Sequence, residues 1–327
     1  MFFIVGRGRS GTTLLRRILN AHPNLAVPPE AMFIMNLYRK YRRVTEWDRE
    51  KLLSFFDDLW VEKRLSYWHL NAVELEQQLL EHEGYGQFAD LCKEVYANYA
   101  QVQGKFDVVA LGDKNPHYCL FLPQLIDLFP DAKFIHVVRD FRDNILSYQN
   151  VSFDTSNTSA LAYRWKRYNA EILKSSEKYF EQFILLRYED LLTKPRISLE
   201  RVCHFLGIGF HPGMLEYYRD QGDGLAAEWH INLQKPLDEA RVFAWKRRMQ
   251  TQDVRKADFV CRDIAAFYGY ENTSAQTSFS LFASTLPGIL QGWLMTSLER
   301  LVILLPTRLM AAIINSYRAL TGSLRHA

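Results

Sequence analysis

Apolar positions first form a run with no polar interruption, Phe2 to Val5, which ends in a glycine-rich turn. Such a run reads as a strand buried on both faces of a parallel sheet. From Thr12 to Ala21 the spacing changes to that of a helix, with Leu14, Leu15, Ile18 and Leu19 on its apolar face. The same strand–turn–helix succession returns between positions 133 and 148, where Phe134, Ile135, His136, Val137 and Val138 lead into Arg139-Asp140. A third short strand is predicted over 183–187 (FILLR), followed by a helical stretch around Ile197 to Leu206. These repeated units predict an α/β fold: a P-loop-like parallel sheet flanked by helices.

Positions 31–110 carry helical periodicity and many charges, and are too long for an ordinary connection. They predict a helical insertion that covers a ligand site. The pattern changes again after Tyr270, because no charged residue occurs from Asn272 to Leu298. Beyond it Leu294, Leu298, Leu301, Val302, Leu305, Leu309, Ala312 and Ile313 share one helical face, with Pro287 and Pro306 expected to break or kink the helix. This predicts a main domain over 1–271 and an amphipathic helical tail over 272–327. The tail's apolar face, Trp293, and Arg300, Arg308, Arg318 and Arg325 are compatible with a helix lying on a membrane surface. A core-packing helix or a homodimer contact explains the same pattern. Its apolar runs are too interrupted for a spanning helix.

Composition adds little to this picture. The chain has 327 residues, 48% of them hydrophobic, and a formal net charge of +3, which gives no reason to expect nucleic-acid binding. Cys92, Cys119, Cys203 and Cys261 are far apart and none forms a CxxC pair, so buried free thiols are expected rather than a zinc or redox motif. The first residues are too short a run for a signal peptide and are interrupted by Arg7 and Arg9, which predicts a cytoplasmic protein, peripheral at a membrane if the tail docks.

Chemistry concentrates first in Gly6-Arg7-Gly8-Arg9-Ser10-Gly11-Thr12-Thr13, between a strand and a helix. Glycines allow close backbone approach to a phosphate, and a helix N-terminus favours an anion. Gly6 and Gly11 have the spacing of a nucleotide P-loop, but Thr12 stands where its lysine belongs. That substitution argues against a kinase, which remains an alternative together with a non-catalytic nucleotide-binding protein docked on a membrane.

The run Arg9-Ser10-Gly11-Thr12-Thr13-Leu14-Leu15, continued by RRILNAHPNL, resembles the 5′-phosphosulfate loop of sulfotransferases that use 3′-phosphoadenosine 5′-phosphosulfate (PAPS), in the branch of the tyrosylprotein enzymes and many bacterial members. The resemblance extends with gaps to about residue 271. It implies a metal-free transfer of a sulfuryl group from PAPS to a hydroxyl or amine, leaving adenosine 3′,5′-bisphosphate. By it Arg7, Gly8, Arg9, Ser10, Gly11, Thr12 and Thr13 would hold the 5′ end of the donor. The segment from Val137 to Tyr148 resembles the family's 3′-phosphate motif, which implicates Arg139 and Ser147. Arg139 follows a strand, where open α/β sheets bind ligands.

Lys114, in Asp113-Lys114-Asn115-Pro116, resembles the family lysine that neutralises charge on the leaving phosphate. Glu30 matches the glutamate that takes the acceptor's proton in the tyrosylprotein branch, with His117 as its competitor and Arg9 beside the transferred group. His136 lies inside an apolar strand and reads as a core histidine. The run Arg187-Tyr188-Glu189-Asp190-Leu191 implicates Tyr188 near the adenosine. Phe243-Ala244-Trp245-Lys246 resembles the C-terminal cofactor loop and implicates Trp245 and Lys246, although Ala244 replaces the lysine of the tyrosylprotein enzymes and their upstream serine has no counterpart around Trp229. The acceptor class (saccharide, lipid, peptide or small alcohol) is not written in these motifs.

Overall fold

The computed structural model describes residues 1–151, 153–219, 233–273 and 278–302, with positions 305 and 309. Trp229, Pro306, Arg308, Ala312, Ile313, Arg318 and Arg325 lie outside the described residues. Five strands, Phe2–Val5 (β1), Leu25–Ala26 (β2), Ala110–Lys114 (β3), Lys133–Val138 (β4) and Phe183–Arg187 (β5), form one sheet in the order β2-β3-β1-β4-β5. Every pairing is parallel; Ile4 is level with Lys114 of β3 on one side and with Ile135 of β4 on the other. The three expected strands are therefore the centre and one edge of the sheet. Strand β3 escaped the reading because Gly112, Asp113 and Lys114 have little strand propensity.

The helices are Thr12–Asn20 (α1), Phe33–Tyr41 (α2), Arg49–Leu59 (α3), Ala72–Leu80 (α4), Phe88–Val102 (α5), Leu122–Leu128 (α6), Phe141–Gln149 (α7), Thr158–Lys178 (α8), Tyr188–Thr193 (α9), Pro195–Leu206 (α10), Trp245–Arg248 (α11), Thr251–Phe267 (α12) and Phe279–Val302 (α13). Alternation along β1 divides the core. Phe3 and Val5 join a cluster with Trp47, Phe55, Trp68 and Tyr96 of the 31–110 region, while Phe2 and Ile4 face Leu15, Ile18 and Leu19 of α1. The helical insertion, α2 to α5, thus connects β2 to β3 and shares one apolar core with the sheet.

The C-terminal helix runs through its proline and turns its large apolar side chains outward. Pro287 lies inside α13 without ending it. The face of Leu294, Leu298 and Leu301 points outward, and the buried side is made of Thr285, Gly288, Gly292 and Thr296. Small residues let α13 lie close to α8: a Cβ at Gly292 would meet the Ala160 carbonyl oxygen at 2.7 Å.

Candidate active site

Parallel pairing places the carboxyl ends of β3, β1 and β4 side by side, so that Lys114, the loop 6–13 and Arg139 emerge along one edge. In an open α/β sheet this edge is where ligands bind. The loop turns into α1 through Gly11, whose φ of 96° is left-handed and where a Cβ would meet the Tyr188 ring at 2.4 Å. The first turn of α1 has no side-chain cap and no acidic residue, which leaves its positive end for an anion.

The loop is anchored from below. Asn144 of α7 donates to the Gly8 carbonyl oxygen at 2.8 Å and to Ser10 Oγ at 3.0 Å. Arg7 is 3% exposed, bonded to Asp154 at 2.9 Å and sandwiched between the rings of Tyr148 and Tyr168. Although burial opposes its charge, Tyr148, Tyr168 and Asp154 hold its pKa above the ordinary value. Arg7 therefore supports the loop from inside the protein.

Arg9, Thr12 and Thr13 line a pocket of about 260 Å³ together with Arg139, Ser147 and Tyr188. Arg9 Nε donates to Ser147 Oγ at 3.1 Å, which joins the two motifs 138 residues apart. The Arg139 guanidinium lies 4.4 Å above the Tyr188 ring, and its buried Nε has no hydrogen-bond partner. Two cations missed in the sequence, Lys235 and Arg241, line the same pocket. Trp245 and Lys246 are not among its lining residues. The Trp245 ring covers Arg142 at 3.9 Å and its backbone N–H bonds Asp143, while Lys246 lies over the Phe243 and Trp245 rings. A lysine just before the tryptophan is absent, and Arg241 supplies a positive charge four residues upstream of it. No local signal marks that substitution.

At the end of β3, Lys114 is buried and bonds Glu30 at 2.7 Å. Burial lowers its pKa, opposed by Glu30. The second oxygen of Glu30 bonds Arg64, from the insertion, at 2.6 Å. Burial favours protonation of Glu30, but Lys114 and Arg64 outweigh it and hold the carboxyl well below the usual range. Arg64 carries no motif, since its pairing spans 34 residues of helical insertion. Behind Lys114, Asp113 is buried and pushed up to about 7 by desolvation, against hydrogen bonds from Tyr96 and Asn115.

His117 follows β3 in the short turn Pro116–Leu120, with Nδ1 3.2 Å from the Tyr168 hydroxyl. Burial pulls its pKa down, opposed by Glu299 and Glu30. His136 lies inside β4, bonded to Asn169 at 2.9 Å and lowered to about 4 by burial, as a core histidine should be. All four cysteines are buried thiols.

Comparison with known proteins bears on this arrangement. The sequence matches the model described as "Sulfotransferase family" over residues 2–212. A Caenorhabditis briggsae protein named "Putative protein-tyrosine sulfotransferase" is 25% identical over 299 residues, spanning 86% of this chain and 93% of that one. Protein-tyrosine sulfotransferase 1 of Danio rerio is 26% identical over 222 residues, 66% of this chain and 56% of its own. The nodulation protein NoeE of Sinorhizobium fredii is 24% identical, over 83% of this chain and 66% of its own. Among solved structures, the sulfotransferase domain of the Synechococcus PCC 7002 olefin synthase shares the fold with a TM-score of 0.60 and 23% identity, over 83% of this chain and 94% of that domain.

Proposed function

The chain belongs to the sulfotransferase family, and from that premise we propose that it moves the sulfuryl group of PAPS to the hydroxyl of an acceptor by in-line transfer. The carrying observation is that Arg9, Thr12 and Thr13 line one pocket with Arg139 and Ser147. A donor with phosphate at both its 5′ and 3′ positions needs two anion sites at fixed separation, and a pocket built from both motifs supplies them. The orphaned Arg139 Nε and the uncapped α1 N-terminus fit such a donor. So do the cations Arg9, Arg139, Lys235 and Arg241, set against Asp238 among the described lining residues.

PAPS, when bound, supplies an activated sulfuryl group. The chain's own part is to hold both phosphates, to place positive charge at Lys114 and to accept the acceptor's proton. Glu30 and His117 stand at that corner. The resemblance favours Glu30, but two ion pairs weaken it as a base, and burial shifts His117 toward its neutral form. A kinase reading lacks support, because Thr12 stands in place of the phosphate-binding lysine. The names of the relatives favour a tyrosyl phenol as the first acceptor to test.

Titration calorimetry with adenosine 3′,5′-bisphosphate, ADP and magnesium ATP tests the reading. The bisphosphate should bind without metal and at least tenfold more tightly than ADP. Preference for magnesium ATP would overturn it.

The outer face of α13 supports a second, separate proposal, that the protein docks on a lipid surface. Phe279, Leu290, Trp293, Leu294 and Leu301 are each more than half exposed on a helix with no charge between Ser278 and Leu298. Among the described residues no helix is long and apolar enough to cross a membrane, so the helix would lie in the interface.

A further inference from the structure

Residues beyond the family match reach the catalytic corner. The close contact of α13 with α8 carries Glu299, in the last turn of α13, to the inner side of α8. Glu299 is the first charged residue after Glu271, and it bonds both Arg164 and Tyr168. Tyr168, 131 residues away in sequence, donates its hydroxyl proton to Glu299 Oε2 at 2.8 Å. The same hydroxyl oxygen lies 3.2 Å from His117 Nδ1.

A phenol has one proton, and here it points at a carboxylate. Its oxygen can then only accept from His117, so Nδ1 must carry hydrogen. We propose that Glu299 is a positioning residue which, through Tyr168, fixes His117 as the Nδ1–H tautomer and leaves the lone pair on Nε2. This inference rests on the sulfuryl-transfer reading, in which a proton acceptor beside Lys114 is required, and it assigns that task to His117 in place of Glu30.

The surroundings keep each proton where the assignment needs it. Burial, then Glu299, raises Tyr168 well above the ordinary tyrosine range, so the phenol stays protonated. Arg164 neutralises Glu299, and Asp154 ties Arg164 to Arg7 of the loop. His117 is faced by Glu30 from the loop before α2, Arg7 from the loop after β1, Arg164 and Tyr168 from α8, and Glu299 from α13. The tail helix is in this way part of the site.

The tautomer can be read without donor or acceptor. Two-bond proton–nitrogen correlation spectra of the ¹⁵N-labelled full chain at pH 7.5 identify which ring nitrogen is bare, with His117→Asn assigning the signal. In the wild-type chain Nε2 of His117 should be the bare nitrogen. Tyr168→Phe and Glu299→Ala should each shift His117 toward the Nε2–H form, while affinity for adenosine 3′,5′-bisphosphate stays within about threefold. An Nε2–H tautomer in the wild-type chain, or no shift in either variant, overturns the proposal. Should Glu299→Ala misfold, the wild-type spectrum and Tyr168→Phe still decide. Failure here leaves the calorimetric result untouched, so the two readings fall separately.

Discussion

Lys114 illustrates how one side chain can have two settings. Buried beside Glu30, it is a cation whose charge burial discourages and one carboxylate sustains. In the proposed reaction the same charge would meet the leaving phosphate, an interaction needed most in the transition state. Lys114→Ala should therefore lower the rate of bisphosphate release from PAPS, with 4-nitrophenol as acceptor, by about 100- to 1000-fold, the size found for losing one electrostatic contact. Its calorimetric affinity for adenosine 3′,5′-bisphosphate should fall by much less than the rate, since the loop and Arg139 still hold both phosphates. Glu30→Gln should cost less, because the carboxylate it removes is already neutralised by Lys114 and Arg64. An equal loss in both variants would return the proton-accepting role to Glu30. At this scale the sequence was readable wherever a residue sits inside a contiguous motif, as Arg9, Lys114, Arg139 and Ser147 do. Arg64, Tyr168, Lys235, Arg241 and Glu299 were not, because each reaches the site through contacts between distant segments.

Elements follow the same division. β1 and β4 were legible because the runs FFIV and FIHVV are buried throughout, and β5 because FILLR repeats the apolar run although it is only partly buried. β3 was hidden because its last residues are not strand formers: Gly112, Asp113 and Lys114 occupy positions that apolar residues would otherwise fill. α13 was legible as a helix, while its pattern left open whether the apolar face packs inside or lies on the surface. The large residues fit either arrangement, and it is Gly288 and Gly292 that make the contact, since only small residues let two helix backbones approach so closely. Gly292→Val should accordingly be destabilising by about 1–3 kcal/mol through overpacking against Ala160. The check is thermal unfolding combined with hydrogen exchange across 279–302, where protection should fall. Leu290→Ala, on the exposed side of the same helix, should leave both unchanged. If Gly292→Val is silent and Leu290→Ala is not, the two faces of α13 have been assigned the wrong way round.

For the molecule as a whole, the question is what meets the outer face of that helix. A second copy of the chain would bury the apolar residues equally well, but protein interfaces keep a polar, charged rim around an apolar centre. Between Ser278 and Leu298 α13 offers no charge on any side, and its basic Arg300 is already paired with Glu171. A lipid surface needs no such rim, and the exposed Trp293 suits the headgroup boundary. Because the same helix holds Glu299 against Tyr168, docking would seat the catalytic corner beside the lipid. The full chain should float with vesicles of phosphatidylcholine and phosphatidylglycerol. A variant carrying Leu290→Ser, Trp293→Ser and Leu294→Ser should remain at the bottom while keeping its affinity for adenosine 3′,5′-bisphosphate. If neither protein floats, and light scattering finds a dimer that those three changes dissociate, the face belongs to a second copy and the membrane reading is wrong.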